Sequence, residues 1–217
     1  MLKCDFHLHS REDPKDRIRH SAIDLVDLAS ARGYDAISIT NHCRVTESAE
    51  LSEYALDKGV LLIPGLELNV GRKHVLAMNV THDIEDVCTF RGLREYREKH
   101  TEIFITAPHP YYPKFSCLWG RLEKNIDLFD AIEYCHFYLS HFNVFNKMAM
   151  CMAQKYEKTV IANSDTHRIE QFGRGITYVD SEKKIPAIID ALKNKRVQIE
   201  STPLTIPESI SIMLRKK

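Results

Sequence analysis

The sequence has no long hydrophobic run, no excess charge of either sign and no paired cysteine motif. Its longest apolar runs, such as residues 60–63, are strand-sized and far below the ~20 residues that a membrane-spanning helix needs. No apolar region of the signal-peptide type follows Met1. These absences argue against a membrane protein, and we expect the chain to be cytoplasmic.

The charge balance and the cysteines narrow the possible class of protein further. Thirty Lys and Arg residues balance thirty Asp and Glu residues in the 217-residue chain, so the formal net charge is zero. That balance gives no support for broad electrostatic binding of nucleic acid. The six cysteines are scattered and are expected to be reduced thiols. Histidine, in contrast, occurs eleven times, often within short motifs.

Predicted strands and helices alternate along almost the whole chain. Strands are predicted at residues 2–8, 34–40, 60–63, 66–70, 74–80, 103–106, 131–134, 159–162, 176–179 and 197–200. Helices are predicted after Ser21, from Thr46 to Leu56, and over residues 89–99, 142–156 and 185–192. This order predicts parallel strands joined by helical crossovers in one α/β domain over residues 1–217. Residues 71–73, between the strands at 66–70 and 74–80, suggest a hairpin. Residues 203–217 are expected to form a terminal helix or a frayed tail.

The clearest chemical motif is His7-Leu8-His9, near the end of the first predicted strand. Side chains at positions i and i+2 point to the same side of a strand, so the two imidazoles face together. Two adjacent imidazoles form a natural pair of metal ligands. Taken alone, the motif fits one buried and one exposed histidine equally well.

Other predicted strands are also followed, or begun, by histidines and carboxylates. These residues are His42, Glu67, His74, His109, Asp165 and His167. Polar groups at the carboxyl ends of parallel strands converge on one face in α/β folds. His109 stands between two prolines, which restrict the backbone around it. The set predicts a metal site, and joint coincidence is the alternative.

In this order, the motifs resemble those of the PHP (polymerase and histidinol phosphatase) domain family. The matching segments, which span residues 5–167, are H-L-H-S, I-T-N-H, P-G-L-E, K-H-V-L, A-P-H-P and N-S-D-T-H. The resemblance implies a distorted (β/α)7 barrel of PHP type, similar to a TIM barrel. It also implies two to three divalent metal ions (Mn, Zn or Fe) and hydrolysis of phosphomonoesters or phosphodiesters.

The resemblance further implies a role for each matching residue. The implied ligands of the first ion are His7, His9, Glu67 and Asp165. Glu67 would bridge to a second ion, and the other ligands of that ion would be His74 and His109. The third ion would be bound by His42, His167 and a carboxylate from the loop after His9. The implied catalytic residues are Glu67, Asp165 and His167.

The chain departs from the family pattern in the loop after His9. Many members have H-S-x-x-S-D-G at this point, whereas residues 9–16 here are H-S-R-E-D-P-K-D. Asp13 is nearest in register, but Asp16 or Glu12 could serve instead. Asn41 also stands where an aspartate is frequent, directly before the implied ligand His42.

These motifs lead us to expect a metal-dependent phosphoesterase that acts on a small phosphomonoester or a nucleotide. Two closely spaced ions can activate a water and hold phosphoryl oxygens. Arg44 and Arg174 are candidate phosphate donors because the planar guanidinium matches phosphate geometry, although plain solvated arginines fit as well. The alternatives are a histidinol-phosphate phosphatase and a metal-binding scaffold without activity. Five histidines outside the motifs are expected to have ordinary roles. His136 is the least secure of these exclusions, because it lies just beyond the end of the predicted strand at 131–134.

Overall fold

The structure is a computed structural model that describes residues 1–214, with side chains described through residue 212. Its strands are β1 (Leu2–Leu8), β2 (Ala36–Ile39), β3 (Leu61–Leu62), β4 (Gly65–Val70), β5 (Lys73–Met78), β6 (Phe104–Ala107), β7 (Ala131–Tyr134), β8 (Thr159–Ala162), β9 (Gly175–Val179) and β10 (Val197–Ser201). Its α-helices are α1 (Ala22–Ala31), α2 (Ala49–Asp57), α3 (Phe90–Lys99), α4 (Gly120–Lys124), α5 (Val144–Lys155), α6 (Ile185–Lys193) and α7 (Ile206–Leu214). The α/β class is confirmed.

The strands form two five-stranded sheets, ordered β10-β9-β1-β2-β3 and β4-β5-β6-β7-β8. Pairing is parallel among β1, β2 and β3 and among β6, β7 and β8. It is antiparallel where β9 meets β1 and β10, and from β4 through β5 to β6. Only two residues connect β4 to β5, and so short a connection cannot join parallel strands. The predicted hairpin is confirmed as β4 and β5, and the expected parallel pairing is right for two groups of strands. The antiparallel pairing of β6 with β5, and of β9 with β1 and β10, was not predicted.

The closed (β/α)7 barrel is not confirmed. Within residues 1–214, isolated bridges join Leu8 to Thr166 and His42 to Glu67, but no continuous ladder links the two sheets. These bridges connect the segments at the carboxyl ends of β1 and β2 to the second sheet. They bring together the strand ends that carry the predicted site residues.

Apolar residues from both sheets pack beneath these strand ends. Phe6 from β1 and Phe104 from β6 are fully buried in one cluster with Ile63, Ala131 and Ile161. The cluster anchors both sheets to a common core, because burying a large apolar side chain stabilises a fold by about 1.5–3 kcal/mol. The strand ends above it are consequently held by rigid elements.

The helix starts show how local sequence sets the element boundaries. Helix α1 begins as predicted, since Ser21 and Asp24 form a capping box. The expected cap at Thr46 is wrong, because Ser48 caps α2 by accepting a hydrogen bond from Leu51 N. The Thr46 hydroxyl instead accepts a hydrogen bond from Asn41 Nδ2 at 2.7 Å.

The C-terminal segment and the lengths of the helices bear on two further expectations from the sequence. The predicted terminal helix is present as α7, while residues 215–217 lie outside the described residues. Over the described part of the chain, no helix combines the length and apolarity needed to cross a bilayer. The cytoplasmic location and the single-domain organisation stay predictions.

Gly175, at the start of β9, packs directly against the backbone that leads into the predicted site. A Cβ there would lie 2.2 Å from Asn163 O and 2.7 Å from Asn163 N. We expect Gly175→Ala to destabilise the protein by about 1–3 kcal/mol, measured by urea unfolding, because backbone atoms cannot move aside as a side chain can. Gly120→Ala is the control, since no atom lies within 4 Å of its Cβ position. Equal stability of the two variants would contradict this close approach.

Candidate metal centre

Glu67 lies at the centre of the converging strand ends and is 1% exposed. Its Oε1 atom is 2.7 Å from His74 Nδ1, 3.2 Å from His109 Nε2 and 3.8 Å from His7 Nε2. These three histidines come from β5, from the segment after β6 and from β1. One carboxylate oxygen therefore faces imidazoles from three separate elements.

The second oxygen of Glu67 faces two further imidazoles. Oε2 is 3.0 Å from His42 Nε2 and 3.4 Å from His9 Nε2. His42 follows β2, and the His42–Glu67 bridge fixes its distance from β4. Glu67 is thus surrounded by five of the histidines predicted to bind metal.

Asp165 forms a second carboxylate position beside this group. Its Oδ1 atom is 3.4 Å from His7 Nε2, 3.5 Å from His9 Nε2 and 3.2 Å from His167 Nδ1. The i, i+2 spacing of His7 and His9 therefore places both Nε2 atoms toward the same carboxylate, as the strand periodicity predicts. His167 reaches the site from the same loop as Asp165.

Several ligand-type atoms in this site are buried without a hydrogen-bond partner. Among residues with described side chains, they include His7 Nε2, His9 Nε2, His74 Nδ1 and Asp165 Oδ1. An unsatisfied buried polar group costs about 1–3 kcal/mol, so such a cluster calls for a missing partner. Nitrogen and carboxylate oxygen atoms that face one another at these distances fit a divalent cation as that partner.

The ligand-type atoms fall into four overlapping groups, in each of which they lie within 4.8 Å of one another. The groups are His7–His9–Asp165, His7–Glu67–His109, His42–Glu67–His74 and His9–Asp13–His42. Glu67 belongs to two of them, as a bridging carboxylate would. The donor set therefore fits more than one metal ion.

The mixture of carboxylates and imidazoles shifts the pKa values within the site. Burial raises the pKa of Glu67, but the surrounding imidazoles outweigh it and hold the pKa well below its usual range. Burial lowers the pKa of His42, yet hydrogen bonds with Asp13 and Glu67 raise it to about 9. Burial also lowers the pKa of His109, and contacts with Cys117 and Glu67 raise it to about 10. Protons therefore occupy part of the site in the absence of metal.

Asp13, the nearest candidate in register for the third carboxylate, is inside the site. Its Oδ2 atom is 3.0 Å from His9 Nδ1 and 2.9 Å from His42 Nδ1, and it accepts a hydrogen bond from His42 N at 2.8 Å. Its Oδ1 atom accepts hydrogen bonds from the backbone N–H groups of Lys15 and Asp16. The loop after β1 is thereby folded around this carboxylate.

The other two candidates for the third carboxylate are placed differently. Asp16 Oδ2 lies 3.2 Å from His167 Nε2 and 3.7 Å from His42 Nδ1. Glu12 instead accepts a hydrogen bond from Ala22 N at the start of α1. The structure brings Asp13 and Asp16 to His42 and leaves Glu12 at the helix.

Two of the predicted site residues have left-handed backbone conformations. The φ angle of His109 is 29° and that of Asp165 is 45°. Non-glycine residues in this region cost on the order of 1–3 kcal/mol, and such strain is concentrated at functional sites. Here the strained backbone lies at His109, whose side chain approaches Glu67, and at Asp165, whose side chain approaches His7.

A pocket of about 840 Å³ opens above these groups. Its positively charged lining residues are Lys15, Arg17, Arg19, Lys114 and Arg168. Arg44 and Arg174, the expected phosphate donors, are not among its described lining residues: Arg44 is exposed elsewhere, and Arg174 pairs with Glu208 of α7. The structure therefore does not bring these two arginines to the site, and it offers other cations instead.

Two buried residues near the centre were not assigned to the site from the sequence. Glu133 in β7 is 1% exposed, and its Oε1 atom is 2.9 Å from His7 Nδ1. His136 is 2% exposed and lines the pocket, and burial lowers its pKa to about 4. The available signals were an acidic residue within an otherwise apolar strand and a histidine just beyond that strand.

Comparisons with known proteins concern the fold of the chain. The family profile described as PHP-associated matches residues 143–197, and no curated protein matches the chain. One similar solved structure is a two-domain protein from Bacteroides vulgatus that contains a predicted PHP-like metal-dependent phosphoesterase. It is 24% identical with a TM-score of 0.71, over 92% of this chain. This chain spans 64% of the length of that protein.

Two further structures have the same fold at lower identity. PsfC from Pseudomonas syringae is 17% identical with a TM-score of 0.69, over 98% of this chain and 95% of that one. A structure named as a metal-dependent phosphoesterase from Bifidobacterium adolescentis is 14% identical with a TM-score of 0.58, over 76% of this chain and 87% of that one. The chain is therefore similar in fold to a protein that contains a predicted PHP-like phosphoesterase, and residues 143–197 match the PHP-associated profile.

Proposed function

We propose that the protein is a metal-dependent phosphoesterase that hydrolyses a small phosphomonoester or a nucleotide. The observation that carries the proposal is the buried Glu67 carboxylate among five imidazoles, several of whose nitrogens lack a partner. Two of the structural neighbours are named as metal-dependent phosphoesterases, which supports the same class.

The proposed ligands follow the assignment that the family resemblance implies, and the group His7–His9–Asp165 matches it directly. His7, His9 and Asp165 would bind one ion with Glu67, and a second ion would take Glu67, His74 and His109. His42 and His167 would bind a third ion with Asp13 or Asp16. Mn, Zn and Fe all suit histidine and carboxylate ligands. When bound, such ions supply Lewis-acid stabilisation of phosphoryl oxygens.

The remaining chemistry belongs to the chain itself. Glu67 and Asp165, both held as carboxylates, fix the histidines around the base of the pocket, and His167 forms part of its wall. The cations that line the pocket can attract and orient a phosphate through charge-assisted hydrogen bonds. Tyr112 and Phe137 line the same pocket and provide apolar surface for the rest of a small substrate.

A panel of phosphate esters tests the proposal. Protein reconstituted with Mn, Zn or Fe should hydrolyse p-nitrophenyl phosphate, bis-p-nitrophenyl phosphate or a nucleotide, and should lose that activity when the metal is chelated. Histidinol phosphate belongs in the panel, because preferential turnover of it would identify the narrower alternative. Full metal binding without turnover of any ester would favour the scaffold without activity.

The pocket cations lead to a prediction about substrate affinity. Within the described residues, neither Arg17 nor Arg19 forms a salt bridge, so both guanidinium groups are available to an anionic substrate. We expect the double substitution Arg17→Ala and Arg19→Ala to raise KM by about 10-fold, with a smaller effect on kcat, because a hydrogen bond to a charged group contributes about 1.5–3 kcal/mol.

Arg91→Ala is the matched control, because Arg91 is on the exposed surface of α3 and pairs with Glu95. The same assay on Arg44→Ala tests the expectation from the sequence that Arg44 binds the substrate phosphate. A rise in KM for Arg44→Ala, with none for the Arg17 and Arg19 double variant, would contradict the assignment of phosphate binding to the pocket cations.

A further inference from the structure

Glu133 is a buried carboxylate that the ligand set does not use. It lies in β7 and is 1% exposed. Its Oε1 atom is 2.9 Å from His7 Nδ1 and accepts a hydrogen bond from Asn163 Nδ2 at 3.0 Å. Its Oε2 atom accepts a hydrogen bond from His109 N at 2.8 Å. Burying a carboxylate costs free energy, and these three partners offset that cost.

We propose that Glu133 is a positioning residue that fixes the protonated nitrogen of His7 and the backbone of His109, so that both imidazoles present Nε2 to the metal centre. This inference rests on the proposed function, because it assigns a role toward the same ions. It concerns how the ligands are oriented and adds no ligand.

The contact with Glu133 determines which ring nitrogen of His7 carries the proton. A neutral imidazole carries its proton on one ring nitrogen, and only the other nitrogen has a lone pair for a metal. Glu133 can only accept at His7 Nδ1, so it places the proton there. His7 Nε2 then has a free lone pair directed toward Glu67 and Asp165, where it has no hydrogen-bond partner.

Glu133 contacts His109 through the backbone of that residue. With φ at 29°, His109 is in a conformation that costs free energy, and its N–H group needs an acceptor because the residue is buried. Glu133 Oε2 supplies that acceptor. The same carboxylate therefore links the ends of β1 and β6, whose histidines approach the same oxygen of Glu67.

Asn163 extends the arrangement to β8. Its Nδ2 group donates to Glu133 Oε1, and its Oδ1 atom accepts a hydrogen bond from Phe6 N at 2.9 Å. Because Asn163 directly precedes the Ser164-Asp165 segment, the loop that carries Asp165 is tied to the same carboxylate. Glu133 thus connects three of the elements that supply proposed ligands.

Glutamine cannot replace Glu133 without loss, although its shape is nearly the same. The carboxylate accepts on both oxygens, whereas a carboxamide accepts on one side and donates on the other. If its oxygen faces His109 N, its NH2 group faces both His7 Nδ1 and Asn163 Nδ2. If it is turned round, the NH2 group faces His109 N–H. Either orientation removes one of the two proposed effects.

The test measures, in the full chain, the affinity for Zn and which ring nitrogen of His7 carries a proton. We expect Glu133→Gln to weaken one Zn site by roughly 10–100-fold in a chelator competition, the usual effect of losing a group that orients a metal ligand. In Zn-loaded wild type, ¹⁵N spectra should show His7 protonated at Nδ1, with its signal assigned by its loss in His7→Gln. A purely structural role would change neither the Zn affinity nor this signal.

Asp130→Asn is the matched control, because it changes a carboxylate next to the other end of the same strand. Asp130 accepts a hydrogen bond from Ile105 N and pairs with Arg97, outside the metal centre. We expect this variant to lower the unfolding temperature while its Zn affinity stays that of wild type.

Three results would overturn the inference, and they separate it from the proposed function. Wild-type Zn affinity in Glu133→Gln, or His7 unprotonated at Nδ1 in Zn-loaded wild type, would refute the role of Glu133 and leave the metal centre standing. If Glu133→Gln does not fold, the His7 signal of the wild type decides alone. Failure of wild type to bind Zn, Mn or Fe would remove the metal centre itself, and this inference with it.

Discussion

Glu67→Gln is expected to lower phosphoesterase turnover by roughly 10³-fold or more and to remove at least one metal ion per chain. The reason is that both oxygens of Glu67 face imidazoles, Oε1 toward three and Oε2 toward two. Glutamine keeps the shape but cannot bridge two cations with two anionic oxygens. Turnover of p-nitrophenyl phosphate and metal content should be measured on the same samples.

The matched control is Glu95→Gln, which removes a carboxylate from the exposed surface of α3. It should match wild type in metal content and turnover. The proposed bridging role would be refuted if Glu67→Gln kept its full metal content and lost no more than a few-fold in turnover. Retained metal with lost turnover would instead show that Glu67 acts on the reaction without being needed for binding.

Metal removal is expected to make the stability of the protein fall steeply with rising pH between about 7 and 10. The folded pKa values of His42 and His109 are raised to about 9 and about 10, above the ordinary value of 6.5. A group with a raised folded pKa stabilises the fold fully below its unfolded pKa, and this contribution is lost as pH rises through the folded pKa. The metal-free protein should therefore lose stability across that interval.

The size of the effect can be bounded from general values. One pKa unit corresponds to about 1.4 kcal/mol, and 1 kcal/mol shifts the Tm of a protein of this size by roughly 2–4 °C. If about 2 kcal/mol of the combined effect is expressed, the Tm of the chelated protein should fall by roughly 4–8 °C from pH 7 to pH 10. Calorimetry of chelated and Zn-loaded samples across this range measures it.

The Zn-loaded protein should show little of this decline, because bound metal requires neutral imidazoles and replaces the protons. His42→Asn should reduce the decline in the chelated protein. His82→Asn is the control, since the His82 side chain is 65% exposed and lies outside the site. A flat stability profile for chelated wild type would contradict the proposed proton occupancy of the metal-free site.

The convergence of the site could be predicted from the sequence because it depends on local rules. His7 and His9 share a side of β1 through strand periodicity, and His42 and Asp165 follow strands whose apolar residues are plain in the sequence. The exact bounds of β1, β7 and β8 were predicted for the same reason. Buried strands of this kind leave few alternative assignments.

The other features depend on contacts between distant segments, which periodicity does not reveal. Glu133 meets His7 across 126 positions of sequence, and Arg174 turns away from the site because Glu208 of α7 is its partner. The closed barrel was expected from the family resemblance. Within residues 1–214, the structure instead has two sheets with only isolated bridges between them. The antiparallel pairing of β5 with β6, and of β9 with β1 and β10, was not predicted. Which carboxylates of the loop after β1 reach the site, such as Asp13 and Asp16, depends on how the loop itself folds.

The metal content of the purified protein, determined by inductively coupled plasma mass spectrometry after reconstitution with Mn, Zn or Fe, tests the central claim most directly. The groups around Glu67 and Asp165 predict two to three ions per chain. Absence of any bound metal under all three conditions would contradict the account, because the unpartnered nitrogens of His7, His9 and His74 would then have no cation to explain them.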